Sequence, residues 1–284
     1  MLLGSVIAGS AIGILSGCIK SYEQALALTE ARRRGEMVLQ ILRLPVENAT
    51  LGIPASPTEY KGSFSIGKAS LPSVSYWEGP VSVSGNELRL VYAMPTSIVN
   101  ETGAVATYPS EDRYIRLSST PQTGQVSPWS GVGASGTRSW VVFAPSRYPF
   151  LVTGLNNRTL ALRSHAPSWV PHNASLHYLR AMRAVTLRFP GQEPSFYTED
   201  VSTGSGLQER VNGIAGFKAG YDRDSHILTI HVLSRGGKRS EGLISPSSLP
   251  GWPGSVGNED RHFRLVVSTW TCKVRNGGAE NKSL

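Results

Sequence analysis

The chain has 284 residues and a hydrophobic fraction of 40%, which is enough for a buried core and excludes a globally disordered protein. Its 30 glycines and 18 prolines favour a turn-rich β body over a bundle of helices. The net charge of +8 makes DNA a candidate partner, but outside residues 32–34 the basic residues are scattered, which is typical of a solvated surface. Two cysteines, Cys18 and Cys272, are too few for a disulfide framework.

The first 19 residues contain no charged side chain and no proline. A helix of that length rises about 28 Å, close to the hydrocarbon thickness of a bilayer. Its small residues would let neighbouring helices approach closely. We therefore expect residues 1–19 to span a membrane and to pack against other helices. The residues predicted to make these contacts are Gly4, Ile7, Gly9, Ile12, Gly13, Leu15 and Gly17.

The helix is predicted to continue from Lys20 to Leu44 and to stop at Pro45, because proline lacks an amide hydrogen and clashes with the preceding turn. Apolar residues in this second half recur at spacings of three, four and seven, which is typical of an amphipathic helix with one buried face. We expect that face to dock on the rest of the protein. The residues predicted to dock are Leu28, Val38, Leu39 and Leu42.

Other interpretations of the N-terminal segment stay open. The tetrapeptide at 15–18 resembles a lipobox, in which Cys18 would be lipidated and the chain would be a lipoprotein binding module. A buried helix of a soluble protein would need a core that surrounds residues 1–19 on all sides. A cleaved signal peptide is disfavoured, because residues 1–3 supply no positive charge.

Residues 45–75 are rich in proline, glycine and serine and are predicted to connect the helix to a β-rich domain at 76–276, with a flexible tail at 277–284. A hairpin connection is predicted at 222–225, and a short helix at 206–212. Apolar, partly alternating runs predict strands of a mostly antiparallel sheet. These runs are 88–92, 140–143, 150–153, 159–162, 185–189, 227–233 and 263–270.

The sequence contains no motif that indicates catalysis or ligand binding with any specificity. Residues 131–136 match G-x-G-x-x-G, but no strand precedes them and no helix follows, so a loop is favoured over a dinucleotide site. Asp222 and Asp224 fit a solvated turn better than a cation site. We therefore expect no catalytic residue, no cofactor and no metal. A hydrolase triad built from the scattered histidines stays an alternative.

The segment 21–43 resembles the second half of the N-terminal helix of type IV pilins and pseudopilins, in particular of PilW-like minor pilins. The runs at 140–143 and 150–153 are similar to a strand pair of that family, 207–214 to its entry into the sheet, and 263–276 to its last strand. The family's basic leader and processing site are not in the sequence, and we expect them upstream of Met1.

The resemblance implies an α+β fold, in which a pilin-type helix at 1–44, half membrane span and half amphipathic, carries a β-rich and mostly antiparallel head. It implies a non-catalytic minor pilin, single-pass in the bacterial inner membrane with a periplasmic head, that enters the tip or initiation complex of a type IV pilus. The implied partners are other minor and major pilins and the pilus assembly machinery, and the implied roles are motility and adhesion. A type II secretion pseudopilin of similar shape is the alternative.

Overall fold

The computed structural model of the protein describes residues 2–66, 74, 76–108, 111–122, 126 and 139–274, with side chains from residue 10 onward. The chain begins with a helix of 46 residues, α1 (Leu2–Glu47). This helix runs past Pro45, its predicted end. Proline removes only the amide that would bond the Ile41 carbonyl, and the turn continues with the Asn48 amide donating to the Leu44 carbonyl at 3.3 Å.

A second, short helix follows α1, and the remaining elements are strands. The short helix is α2 (Pro57–Ser63). The first seven strands are β1 (Val81–Ser84), β2 (Glu87–Val99), β3 (Val105–Thr107), β4 (Arg113–Arg116), β5 (Trp140–Ala144), β6 (Phe150–Asn156) and β7 (Thr159–Ser164). The later ones are β8 (Ser168–Val170), β9 (Ser175–Leu187), β10 (Ser195–Asp200), β11 (Leu207–Asn212), β12 (Ile214–Asp222), β13 (Ile227–Arg235) and β14 (Leu265–Lys273).

Within the described residues, nine of these strands form one antiparallel sheet in the order β1-β2-β9-β5-β6-β7-β4. The long strand β9 bonds β2 along one edge, and β5 and then β10 along the other, and β11 adds to β10. A separate sheet has the order β12-β13-β14, and β3 pairs with β8. The predicted hairpin at 222–225 is confirmed, since it joins the antiparallel strands β12 and β13.

The middle strands of the large sheet are buried on both faces. On β2, Leu88 and Leu90 face a core shared with α1 and the β12–β14 sheet, whereas Val91 and Ala93 face a second core under α2. Alternation along a strand sends successive side chains to opposite faces, so both faces need cover. The predicted connecting region supplies part of that cover, because Tyr60 of α2 is fully buried in the second core.

The predicted α+β fold class is wrong. Strands hold 42% of the chain and helices 21%, so the protein is mostly β with one long helix. Among the described residues, no helix is both long and apolar enough to cross a membrane, so the predicted membrane-spanning half of the helix at 1–19 is not supported. That prediction relied on the absence of charge and proline over residues 1–19, and the side chains of residues 1–9 lie outside the described part of the chain.

One further element was predicted wrongly and one lies outside the described part of the chain. The segment predicted as a short helix at 206–212 is the strand β11, which pairs with β10. Its helix-like polar sequence is exposed except at Val211, so the pairing with β10, and not local preference, decides its conformation. The glycine motif at 131–136 lies outside the described residues.

His177 on β9 is buried, and burial lowers the pKa of its imidazole from the ordinary value of 6.5, opposed by a hydrogen bond to the Ser175 carbonyl. The unfolded chain therefore takes up a proton on this group at a higher pH than the folded chain does. We expect the stability of the fold to decrease as the pH falls below 6.5, and to decrease less in His177→Gln. Urea unfolding of both proteins at several pH values measures this difference, and parallel pH profiles would contradict it.

Candidate helix-packing surface

The second half of α1 lies on the β12–β14 sheet through a stripe of mostly small residues. Ala27, Ala31, Gly35, Val38 and Leu42 are buried there. Their spacing of three and four residues keeps them on one face of the helix. We call the chain after α1 the head. The stripe is the surface by which the helix attaches to the head.

Three of the four residues predicted to dock lie on the attachment side, and one does not. Val38 and Leu42 are fully buried in the core shared with the head, and Leu39 packs against its margin. Leu28 is 43% exposed, and its neighbour Ala27 takes the buried position. The reason is steric: a Cβ atom on Gly236 would lie only 2.6 Å from the Ala27 carbonyl, so the head comes too close there for a large side chain.

Two glycines allow this close approach. A Cβ atom on Gly35 would come 2.5 Å from the Ser268 hydroxyl, so the helix meets β14 at a point with no room for a side chain. Gly213 has φ of +69°, a left-handed conformation that favours glycine, and a Cβ atom there would overlap the Arg34 guanidinium. The sequence of the head is thus fitted to the helix that lies on it.

Polar contacts fix the position of α1 along its own axis. Arg34 donates to the Arg235 carbonyl at 2.9 Å and to Glu30 at 2.7 Å. The other carboxylate oxygen of Glu30 accepts the Gly237 amide at 2.7 Å. The Ser234 hydroxyl donates to the Ala31 carbonyl at 2.6 Å. These bonds join one turn of α1 to the end of β13, and they hold the helix at a defined height on the head.

Behind these contacts lies a buried group of charges. Asp260 accepts two hydrogen bonds from Arg188 at 2.5 and 2.6 Å and lies 3.7 Å from the Arg235 guanidinium. The side chains of Arg235 and Asp260 are each 8% exposed. Burial lowers the pKa of Arg235, and the carboxylates of Glu193 and Asp260 oppose that shift. The carboxylates therefore keep the arginine charged inside the protein.

The first half of α1 carries large apolar side chains that nothing in the described part of the chain covers. Five of them repeat at spacings of three and four residues and are each at least half exposed. They are Ile12, Leu15, Ile19, Tyr22 and Leu26, and we call them the helix seam. This alternation is the heptad pattern of positions that interlock between packed helices. Ile14 is equally exposed but lies off the seam.

The other residues predicted for helix packing are placed as follows. Around Gly13 and Gly17 there is open space, since a Cβ atom at either glycine would meet nothing within 4 Å. Cys18 is exposed in the middle of the helix. The surroundings of the remaining predicted residues, Gly4, Ile7 and Gly9, lie outside the described part.

Tyr22 and Leu26 were not predicted as packing residues. The signal that could have found them is the unbroken heptad spacing that starts at Ile12 and runs past the end of the uncharged segment. The predicted packing surface ends at residue 19, where the uncharged segment ends. The heptad spacing continues across Lys20, so this boundary left out its last two residues.

Groups suited to metal binding or to reaction are few among the described residues. These residues contain no group of three or more histidine, cysteine or acidic residues that could hold a metal ion. Asp222 accepts hydrogen bonds from the Ser225 hydroxyl and the Asp224 amide, which lower its pKa and occupy it within the hairpin turn. Burial raises the pKa of the Cys272 thiol, which makes it less reactive at neutral pH.

No protein-family model, no curated protein and no solved structure matches this chain. Function is therefore inferred from the surface of α1 and from the way the head holds it.

Proposed function

We propose that the protein is a pilin-like, non-catalytic subunit that assembles with other subunits through α1. The observation that carries this proposal is the helix seam, a heptad row of large apolar side chains that is exposed on the first half of α1. The second half of the same helix is buried on the head. One continuous helix thus joins an assembly surface to a folded head.

The free energy available from the seam is large. Fully burying one exposed Ile or Leu side chain stabilises an association by about 1.5–3 kcal/mol. The seam offers four such side chains, together with Tyr22, on about four turns of helix. Packing of these side chains between those of a neighbouring helix would remove the whole row from water.

The rigid attachment supports the same function. The glycine contacts at Gly35 and Gly213 and the bonds of Arg34 and Glu30 fix the rotation and height of α1 on the head. A helix held in this way presents its seam at a constant angle, so that identical heads would repeat regularly around a bundle of helices. The resemblance of residues 21–43 to pilins and the partners it implies, other minor and major pilins in the tip of a type IV pilus, agree with this geometry.

The test replaces three seam residues with glutamine in the full chain, as Ile12→Gln, Leu15→Gln and Ile19→Gln together. Glutamine keeps the helix propensity close to that of leucine but cannot bury apolar surface. We expect sedimentation velocity to show that the original chain forms oligomers and that the triple variant is at least about tenfold weaker in self-association.

The matched control replaces three exposed apolar residues of the head by glutamine, at Tyr114, Trp169 and Leu243. These changes remove a similar exposed apolar area and should leave self-association unchanged. The proposal would be wrong if the original chain stayed monomeric at all concentrations, or if both triple variants weakened association equally.

A further inference from the structure

The last strand of the small sheet has one free edge. Strand β14 pairs with β13 along all nine of its residues, from Leu265 opposite Arg235 to Lys273 opposite Ile227, without a bulge. On its other side no strand of the described chain pairs with it. Edge strands of soluble proteins are usually short, bulged, or interrupted by proline or charge, because an open edge invites another strand. Before Lys273, β14 contains none of these features.

The hydrogen bonds at both ends of β14 show which backbone groups are free. The Gly236 amide donates to the Arg264 carbonyl at 2.9 Å, and the Val274 amide donates to the His226 carbonyl at 2.8 Å. In an antiparallel ladder both groups of a residue point the same way, and alternate residues point outward. The even-numbered residues therefore bond β13. The residues that present their N–H and C=O groups at the open edge are Leu265, Val267, Thr269, Thr271 and Lys273.

A groove of about 730 Å³ runs beside this edge, between β14 and the docked half of α1. Its apolar lining comes from Leu39 of the helix and from Trp270 and Cys272 of the strand, all of which are only partly buried. Glu36 and Arg43 lie on its helix side. A strand added at the edge would send every second side chain into this groove.

From this geometry we infer that β14 pairs antiparallel with β14 of a second copy of the chain, joining two small sheets into one of six strands. Only one register pairs all five outward-pointing residues. It places Thr269 opposite Thr269 of the second copy, Val267 opposite Thr271, and Leu265 opposite Lys273. This register also places Trp270, which lines the groove of its own copy, opposite Ser268 of the second copy.

The charge distribution fits a second copy better than an unrelated charged strand. Lys273 is the only charged residue of β14, and in this register it lies opposite Leu265, so no like charges meet across the pair. The interior of the strand is rich in valine, threonine and tryptophan, which favour paired β structure. The threonine hydroxyls on the face away from α1 would remain in water, as they are in the single chain.

This contact is separate from the proposed assembly through the helix seam. The twofold axis of an antiparallel strand pair is perpendicular to the sheet, so both α1 helices lie on the same face and run in opposite directions. The seam of each copy lies at residues 12–26 of α1, before the part of the helix that lines the groove, and so takes no part in the strand pair. A failure of one contact leaves the other intact, and the two can be tested independently.

The test uses the full chain with Cys18→Ser and Cys272→Ser, to which either Thr269→Cys or Thr271→Cys is added. In the inferred register residue 269 faces itself with Cα atoms about 5.5 Å apart, which suits a disulfide. Residue 271 lies roughly 13 Å from its own copy, too far for one. Under mild oxidation we expect the disulfide-linked dimer of Thr269→Cys to form at least about tenfold faster than that of Thr271→Cys.

A second pair of variants tests the backbone bonds. In the Thr269→Cys protein, Thr271→Pro removes an amide hydrogen that points outward and that β13 does not use, so the fold is retained. It should slow the cross-link about tenfold, whereas Thr271→Ala, which keeps the amide, should not. Circular dichroism and the melting temperature check the fold of each variant. Equal cross-linking at 269 and 271, no cross-linking at either, or indifference to Thr271→Pro would overturn the inference.

Discussion

Replacing Leu42 by alanine lowers the free energy of unfolding by about 3 kcal/mol, because Leu42 is fully buried where α1 meets the head and the cavity can only partly collapse. The loss appears as a lower urea midpoint with an unchanged slope in an unfolding curve followed by tryptophan fluorescence. The same substitution loosens the helix that carries the seam, so we also expect earlier proteolysis between α1 and the head.

The matched control lies on the same helix. Leu28→Ala removes the same atoms from a side chain that is 43% exposed, and we expect a change within about 0.5 kcal/mol. The comparison measures which face of α1 is docked. Equal losses at Leu28 and Leu42 would mean that the helix is rotated from the position described, with Leu28 buried as the sequence suggested.

Replacing Asp260 by alanine lowers the free energy of unfolding by about 3 kcal/mol, here because a buried charge loses its partner. The substitution leaves Arg235 buried without its carboxylate and removes both hydrogen bonds of Arg188. Glu193, 3.5 Å from Arg235, compensates only in part because it is 40% exposed. Urea unfolding measures the loss, which should not decrease much in high salt since Arg235 and Asp260 are each only 8% exposed.

The control for the Asp260 substitution is made at the neighbouring carboxylate, Glu259. Glu259 lies 3.6 Å from Arg239 and is 71% exposed, and exposed ion pairs contribute little to stability. We expect Glu259→Ala to change the free energy of unfolding by less than about 0.5 kcal/mol. A loss at Asp260 no larger than that at Glu259 would show that the buried charges contribute no more to stability than an exposed ion pair.

Much of the β body could be predicted from local sequence. The alternating run at 227–233 lies in β13, and the turn residues at 222–225 connect it to β12, because alternation and turn chemistry act between near neighbours in the chain. The prediction of a short helix at 206–212 was wrong for the opposite reason. The conformation of this segment depends on pairing with β10, and no local pattern in an exposed polar strand reveals that partner.

The docking face of α1 was predicted from hydrophobicity, and this explains the error at Leu28. The helix offers two overlapping apolar stripes, one of large residues and one of small residues. Close packing against the head selects the small one at Ala27, Ala31 and Gly35, where the backbone of the head approaches the helix. Size complementarity of this kind depends on which residues of the head lie opposite the helix, and the sequence alone does not show that pairing.

The sequence by itself determined that α1 is one long helix and that a turn-rich β body follows it, because helix periodicity, strand alternation and breaker residues are local properties. Only the tertiary structure decided which face of α1 docks, that Arg235 and Asp260 meet in the interior, and that β14 has an open edge. These features join residues far apart in the chain, and their energies depend on burial and on exclusion of water. Burial is a property of the packed molecule and is encoded at no single position.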